Sequence, residues 1–171
     1  MKNGLKLVLV AFLTIVGSAA MAQQVKLGYI NSQELFQAMP ERDSAFTKLN
    51  AYAAELEGQL EMIQVELNNK LQDYQKNAAT FTDAIRTMKE KELQDLNARL
   101  QQSNQIAQED LENQQAVLLG PVFEKMNAAI EKTAQANSIT AVFDVAAGAM
   151  IYHDKNAMVD MLPLVKRELG I

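Results

Sequence analysis

The feature that most limits the fold of this chain is an 80-residue stretch without proline, between Pro40 and Pro121. Its only glycines are Gly58 and Gly120, and it is rich in Gln, Glu, Asn, Leu and Ala. Most residues of these types have favourable helix propensities, and few of them interrupt the backbone hydrogen-bond ladder. The stretch therefore predicts helix over most of its length.

A turn near the middle of this stretch predicts that the helix folds back on itself. In residues 77–83 (NAATFTD), Asn77 can end one helix and Thr80 or Thr82 can cap the next. Each helix would then contain about 37 to 40 residues and extend about 55 to 60 Å, at 1.5 Å per residue. We therefore expect a protruding antiparallel helical hairpin over residues 41–120.

Two antiparallel helices need a shared apolar seam, and each half of the stretch provides one. In the first half a heptad repeat has seven apolar or aromatic residues among eight seam positions, namely Leu49, Ala53, Leu56, Leu60, Ile63, Leu67, Lys70 and Tyr74. In the second half the apolar residues recur every 11 positions, at Ile85, Leu96, Ala107 and Leu118, with Leu100 and Leu111 as a second set. An 11-residue repeat predicts a weak or slightly right-handed supercoil.

The segments before and after the helical hairpin show the alternating residue pattern that is typical of β-strands. Residues 25–30 (VKLGYI) predict one strand, and residues 139–154 (ITAVFDVAAGAMIYHD) predict a β-hairpin with strands at 139–145 and 150–152. A lone β-hairpin is marginally stable in water, so we expect it to join the first strand in one small sheet.

Several shorter helices complete the prediction. Asn31 or Ser32 caps a helix that ends near Pro40. Pro121 begins a new helix that runs to about Asn137, because proline suits a first helical position. Asp154 or Asn156 then caps a final helix with its apolar side at Met158, Met161, Leu162, Val165 and Leu169, in which Pro163 is a break or kink.

The fold class is therefore α+β and mostly α, with the helical hairpin projecting from a small β body. The body consists of residues 23–40 and 121–171. Three strands and two short helices bury little apolar surface, and small domains are marginal for that reason. We expect several copies of the chain to share one β body, which also covers open strand edges.

The first 22 residues have the pattern of a secretory signal peptide. Lys2 and Lys6 precede an apolar run from Leu7 to Gly17, and the segment ends in Ala20-x-Ala22. Its removal leaves a chain that begins at Gln23, and we expect this chain in the periplasm.

Charge and cysteine content exclude several classes of function. From Gln23 onward 14 basic residues face 21 acidic ones, a net charge of −7, so nucleic acid is not an expected partner. The chain has no cysteine and a single histidine, His153, so it lacks thiolate chemistry and a histidine cluster. We expect a structural role for His153, for example in capping the last helix. We also expect that the protein is not an enzyme and that it binds neither a metal nor a cofactor.

Several segments together resemble the Skp (OmpH) family of periplasmic chaperones. They are the strand followed by Leu35-Phe36-Gln37, the long Gln/Glu-rich hairpin, and the pattern of Ala134, Ile139, Val142 and Asp144 before a Tyr-bearing segment. The resemblance covers nearly the whole chain after the leader, in order and in length.

The resemblance implies a homotrimer with a central β body from which three helical-hairpin tentacles enclose a cavity. Members of the family hold unfolded outer-membrane proteins in this cavity without ATP. On this basis the candidate client-binding residues near the hairpin tip are Leu71, Tyr74, Phe81, Ile85 and Met88. The candidate residues of the trimer body are Leu27, Tyr29, Phe36, Ile139, Val142, Phe143 and Ile151.

The alternative for the five tip residues is a purely structural role, in which they close the core of the hairpin at its tip. Among them Phe81, in the turn, is the best candidate for contact with a client. Charge departs from the family pattern, because residues 41–118 hold 14 acidic and 8 basic side chains. Lipopolysaccharide binding, which basic tentacles favour, is therefore doubtful here. A structural periplasmic coiled-coil adaptor or spacer is the alternative function.

Overall fold

Two long helices joined by a tight turn dominate the computed structural model, which describes residues 25–148 and 150–171. The predicted signal peptide, residues 1–22, lies outside the described residues. In chain order the elements are β1 (Leu27–Ile30), α1 (Ser32–Ala38), α2 (Pro40–Asn77), a 3₁₀ turn (Ala78–Thr80), α3 (Asp83–Ala136), β2 (Ala141–Asp144), β3 (Val159–Asp160) and α4 (Leu162–Leu169). The predicted fold class, a long helical hairpin on a small sheet, is confirmed.

The helical hairpin turns where the sequence predicted. α2 ends at Asn77, and the Thr82 side chain caps α3 by accepting a hydrogen bond from the N–H of Ile85 at 3.4 Å. All eight predicted seam residues of α2 are partly shielded from solvent, and Leu96 of α3 is buried. Ile85 is exposed rather than part of the seam, since it lies in the first turn of α3 beside the chain reversal. We call residues 41–118 the arm.

Pro121 does not begin a new helix, contrary to the prediction. α3 runs from Asp83 to Ala136 with Pro121 inside it. A proline inside a helix removes one backbone donor and costs about 3 kcal/mol. Leu119 and Val122 beside it are buried in the apolar core, and their burial offsets that cost. One continuous helix therefore joins the arm to the body, by which we mean β1–β3, α1, α4 and the end of α3.

The sheet is parallel, so the predicted β-hairpin is wrong. β1 lies in the centre and runs parallel to β2 on one side and to β3 on the other. Leu27 is paired with Ala141, and Gly28 with Val159. Because β2 occupies one edge of β1, the chain must cross to the opposite edge before it adds its third strand.

The crossing segment contains the residues that had been assigned to the second hairpin strand. Residues 150–152 form no strand, and Ile151 and Tyr152 are exposed. The third strand is Val159–Asp160 instead. Its two residues are too few to show an alternating pattern.

The last helix begins later than predicted. Neither Asp154 nor Asn156 caps it; α4 starts at Leu162, whose N–H donates to the Asp160 carboxylate at 3.0 Å. Pro163 is thereby in the first turn of α4, where a missing N–H leaves no helix bond unmade. It is neither a break nor a kink.

The core of the body lies where the sheet meets α1, α3 and α4. Its most completely buried side chains are Leu35, Met39, Met161 and Val165. A Cβ on Gly28 would lie 2.9 Å from Cγ of Met161 and 3.2 Å from Cγ2 of Ile139. The central strand can approach this core closely because position 28 has no side chain.

Candidate functional site

Polar bonds between α2 and α3 fix their register along the arm. In order from its base they join Glu41 to Lys125, Tyr52 to Asp110, Lys70 to Glu92 and Tyr74 to Glu90. These bonds lower the pKa of Glu41 and Glu92, because a lysine donates to each carboxylate, and raise the pKa of Tyr52 and Tyr74, because each phenol donates to one. The positions of the surface side chains of α2 relative to those of α3 are therefore fixed along the arm.

The five candidate residues at the tip divide into two groups. Tyr74 and Phe81 are partly buried, with ring centroids 5.8 Å apart, and the Tyr74 hydroxyl donates to Glu90 at 2.7 Å. This pair closes the hairpin. Leu71, Ile85 and Met88 are exposed, which leaves their side chains available to a client.

Sequence reasoning missed a second set of exposed apolar residues farther down the arm. They are Met62, Val65, Ile106 and Val117. Met62 and Val65 lie off the heptad positions of α2, and Ile106 and Val117 lie off the 11-residue positions of α3. An apolar residue outside the seam was therefore the signal that could have identified them. Together with the tip they extend apolar surface along most of the arm.

Aromatic rings join the arm to the body. The Phe36 ring of α1 stacks on Phe123 of α3 with centroids 4.7 Å apart and planes 3° apart. The Arg42 guanidinium lies over the ring of Phe46 at 4.8 Å and near that of Phe36 at 5.8 Å. These contacts brace the start of α2 against α1 and α3.

The seven candidate residues of the trimer body differ in exposure. Ile139 is buried; Leu27, Tyr29, Phe36 and Val142 are partly buried; Phe143 and Ile151 are exposed. Val25 and Tyr152 are two further exposed apolar side chains of the body. Ile151 is the most exposed of these side chains, at 100%.

His153 does not cap the last helix. Its ring lies against Tyr29, with centroids 4.4 Å apart. Burial raises the pKa of Tyr29, and the neighbouring Asp160 carboxylate raises it further. The contact between His153 and Tyr29 holds the crossing segment against the central strand.

Within residues 25–148 and 150–171, no group of three or more His, Asp or Glu side chains is placed to hold a metal ion. The helices of this same part of the chain are too polar or too short to cross a membrane.

Comparison with known proteins identifies related chains. The sequence profile of a family described as outer membrane protein (OmpH-like) matches residues 26–169. A chaperone protein Skp from Pectobacterium atrosepticum is 24% identical over 154 residues, which cover 90% of this chain and 93% of the relative. A chaperone protein Skp from Photorhabdus laumondii is 23% identical over 141 residues, 82% of this chain and 86% of the relative.

A solved structure has the same fold. It is a crystal structure from Caulobacter crescentus, described as an OmpH-like outer membrane chaperone. Its TM-score with this chain is 0.69 at 16% sequence identity, over 85% of each chain. The arm and the small sheet therefore form a fold that a distant sequence also adopts.

Proposed function

The chain belongs to the OmpH-like family of outer membrane proteins, and from this premise we propose that it is an ATP-independent periplasmic chaperone. It binds unfolded outer-membrane proteins and prevents their aggregation. The names of the curated relatives, chaperone protein Skp, support this class of function.

The observation that carries the proposal is the exposed apolar surface of the arm. A holdase must bind many different apolar segments, each weakly, so that the client is protected and can still leave. Met62, Met88 and Ile106 project from a rigid two-helix support and are mostly exposed. Methionine suits such a surface because its flexible side chain adapts to different partners.

We propose that the active form is a homotrimer with a shared β body. The exposed apolar residues Val25, Phe143, Ile151 and Tyr152 support an interface between copies, since burying them removes apolar area from water. Three arms that project from one body would enclose the client. The leader predicted from residues 1–22 supports a periplasmic location.

The test is suppression of client aggregation by the purified chain from Gln23. A urea-denatured outer-membrane β-barrel protein is diluted into buffer with increasing amounts of the chain, and light scattering is followed without nucleotide. We expect scattering to fall to its minimum near one trimer per client. Unchanged scattering at a stoichiometric or higher amount of trimer would contradict the proposal and leave the structural spacer as the better explanation.

A further inference from the structure

The middle of the arm carries acidic side chains and no basic ones. Residues 49–69 of α2 and 100–118 of α3 contain seven Asp or Glu and neither Lys nor Arg. The central parts of the two ranges face each other, since Tyr52 contacts Asp110 and residues 53–60 line one groove with residues 104–111. We call these ranges the acidic belt.

The charge of the belt contrasts with that of the tip. Residues 70–91 contain five basic and three acidic side chains. The net charge of the whole arm does not reveal this difference between the tip and the belt. A client segment held along the arm therefore meets different charges at the tip and in the middle.

No belt carboxylate forms a direct ion pair in the described part of the chain, although Glu66 is close enough to Lys70 to help raise the pKa of that lysine. The ion pairs there use Glu34, Glu41, Asp43, Glu92 and Glu168, all of which lie outside the belt. Salt screens exposed charges beyond about 8 Å at physiological ionic strength, so the belt charges act mainly on groups in direct contact with it.

A groove between the helices lies inside the belt. It has a volume of about 510 Å³. Its apolar residues are Ala53, Leu56, Leu60, Ala107 and Leu111, and its polar residues are Glu57, Asn104, Gln105 and Gln108. Side-chain amides both donate and accept hydrogen bonds, so they can bind the unpaired backbone of an extended chain.

Exposed apolar side chains occur in the same stretch of the arm, outside the lining of the groove. Met62, Val65 and Ile106 all belong to the belt and are between 48% and 67% exposed. Apolar side chains, amide groups and carboxylates without a direct ion pair thus occur along one stretch of the arm. Their combination fits an extended segment that carries apolar and cationic side chains.

We propose that the acidic belt is the principal binding surface for client segments, and that it selects apolar segments bearing Lys or Arg over equally apolar segments bearing Asp or Glu. This inference rests on the proposed chaperone function and adds the chemical class of segment that the arm binds.

The experiment compares two labelled 20-residue peptides with identical apolar residues and either Lys or Glu at every polar position. Binding to the chain from Gln23 is measured by fluorescence anisotropy at 50 and 300 mM NaCl. Because the Lys peptide can form several exposed ion pairs with the belt, each of them weak, we expect it to bind about tenfold more tightly at the lower salt concentration. The preference should shrink at the higher one.

Two triple variants with the same change in net charge test whether the preference for the Lys peptide comes from the acidic belt. Glu57→Gln, Glu61→Gln and Glu112→Gln neutralise three belt carboxylates, whereas Asp73→Asn, Glu124→Gln and Glu131→Gln neutralise three outside it. We expect the first set to abolish most of the preference and the second to keep it. The double change Met62→Ser and Ile106→Ser should weaken binding of both peptides alike.

Aggregation suppression by the same samples separates the two proposals. A chain that suppresses aggregation yet binds both peptides equally, prefers the Glu peptide, or responds equally to both triple variants overturns the belt proposal alone. A chain that suppresses no aggregation overturns the chaperone function, and the belt proposal with it.

Discussion

Ser32 and Asp144 are joined by two hydrogen bonds although 112 positions separate them in the sequence. The backbone N–H of Ser32 donates to Oδ1 of Asp144 at 3.1 Å, and the Ser32 hydroxyl donates to Oδ2 at 2.5 Å. The bonds tie the start of α1 to the end of β2. This carboxylate therefore links α1 to the carboxyl-terminal part of the chain.

Asp144→Asn should destabilise the body. The substitution weakens bonds to a charged, partly buried acceptor, and we expect it to lower the free energy of unfolding by about 1–2 kcal/mol. Urea unfolding followed by circular dichroism measures the change. Ser32→Ala, which removes only the hydroxyl, should cost less; an equal or larger cost would contradict the assignment of both bonds.

The same carboxylate makes stability depend on pH. Burial tends to raise the pKa of Asp144, but the hydrogen bonds from Ser32 and from the N–H of Ala146 outweigh it and hold the pKa below the usual value. The contribution is therefore present above the pKa of an unfolded Asp, about 3.9, and is lost as pH falls through the lower folded value. Between pH 7 and pH 3 the wild-type chain should lose more stability than Asp144→Asn, and identical losses would contradict this.

Gly28→Ala should destabilise the body by steric crowding. The new methyl group would lie 2.9 Å from Cγ of fully buried Met161, and overpacking of this kind costs about 1–3 kcal/mol. Gly58→Ala is the matched control, because its Cβ meets nothing within 4 Å inside helix α2. There alanine should stabilise by about 0.5–1 kcal/mol. The two changes in urea midpoint should have opposite signs, and a shared sign would contradict the close approach at Gly28.

Phe81→Ala should loosen the tip of the arm. The ring contact between Phe81 and Tyr74 is of a kind worth about 0.5–1.5 kcal/mol, and its loss should speed amide hydrogen exchange in residues 74–85. Met88→Ser, in the same region but exposed, should leave that exchange unchanged. If Phe81→Ala left exchange unaltered, the aromatic pair would not be what closes the turn.

Ile151→Asp together with Phe143→Asp should weaken the proposed trimer. Both residues are exposed in the single chain, and a charge placed in an apolar interface would reduce association by about tenfold or more. Light scattering at two concentrations measures the mass. Met62→Asp is the control, because it also replaces an exposed apolar residue with a charged one but lies on the arm. It should leave the mass as in the wild type. A wild-type monomer at both concentrations would contradict the shared body itself.

The helical arm could be predicted from the sequence because its apolar pattern repeats over many residues. Eighty residues without proline, a repeated apolar seam and Thr82 at the turn were sufficient to place the arm. The parallel sheet could not be predicted in the same way. Residues 139–154 show local alternation, which favours a hairpin, whereas the real partner of β2 lies near the start of the chain.

The continuity of α3 and the distribution of charge on the arm both depend on contacts that the sequence alone does not show. Pro121 favours a helix start when considered alone, but buried neighbours keep α3 continuous through it. The total charge of the arm is evident from the sequence, but only the three-dimensional register places the central parts of the base-free ranges of α2 and α3 side by side. In both cases the deciding contacts join residues that are distant in the sequence.

The central position of β1 also sets the order in which the chain can fold. Contacts near the turn at Thr82 close short loops, so we expect them to form first and the arm to lengthen toward its base, where Glu41 contacts Lys125. β1 has to wait longer, because both of its partners, β2 and β3, follow the whole arm. In a chain that emerges from its amino end, the first strand therefore keeps both edges open until nearly every later residue has appeared.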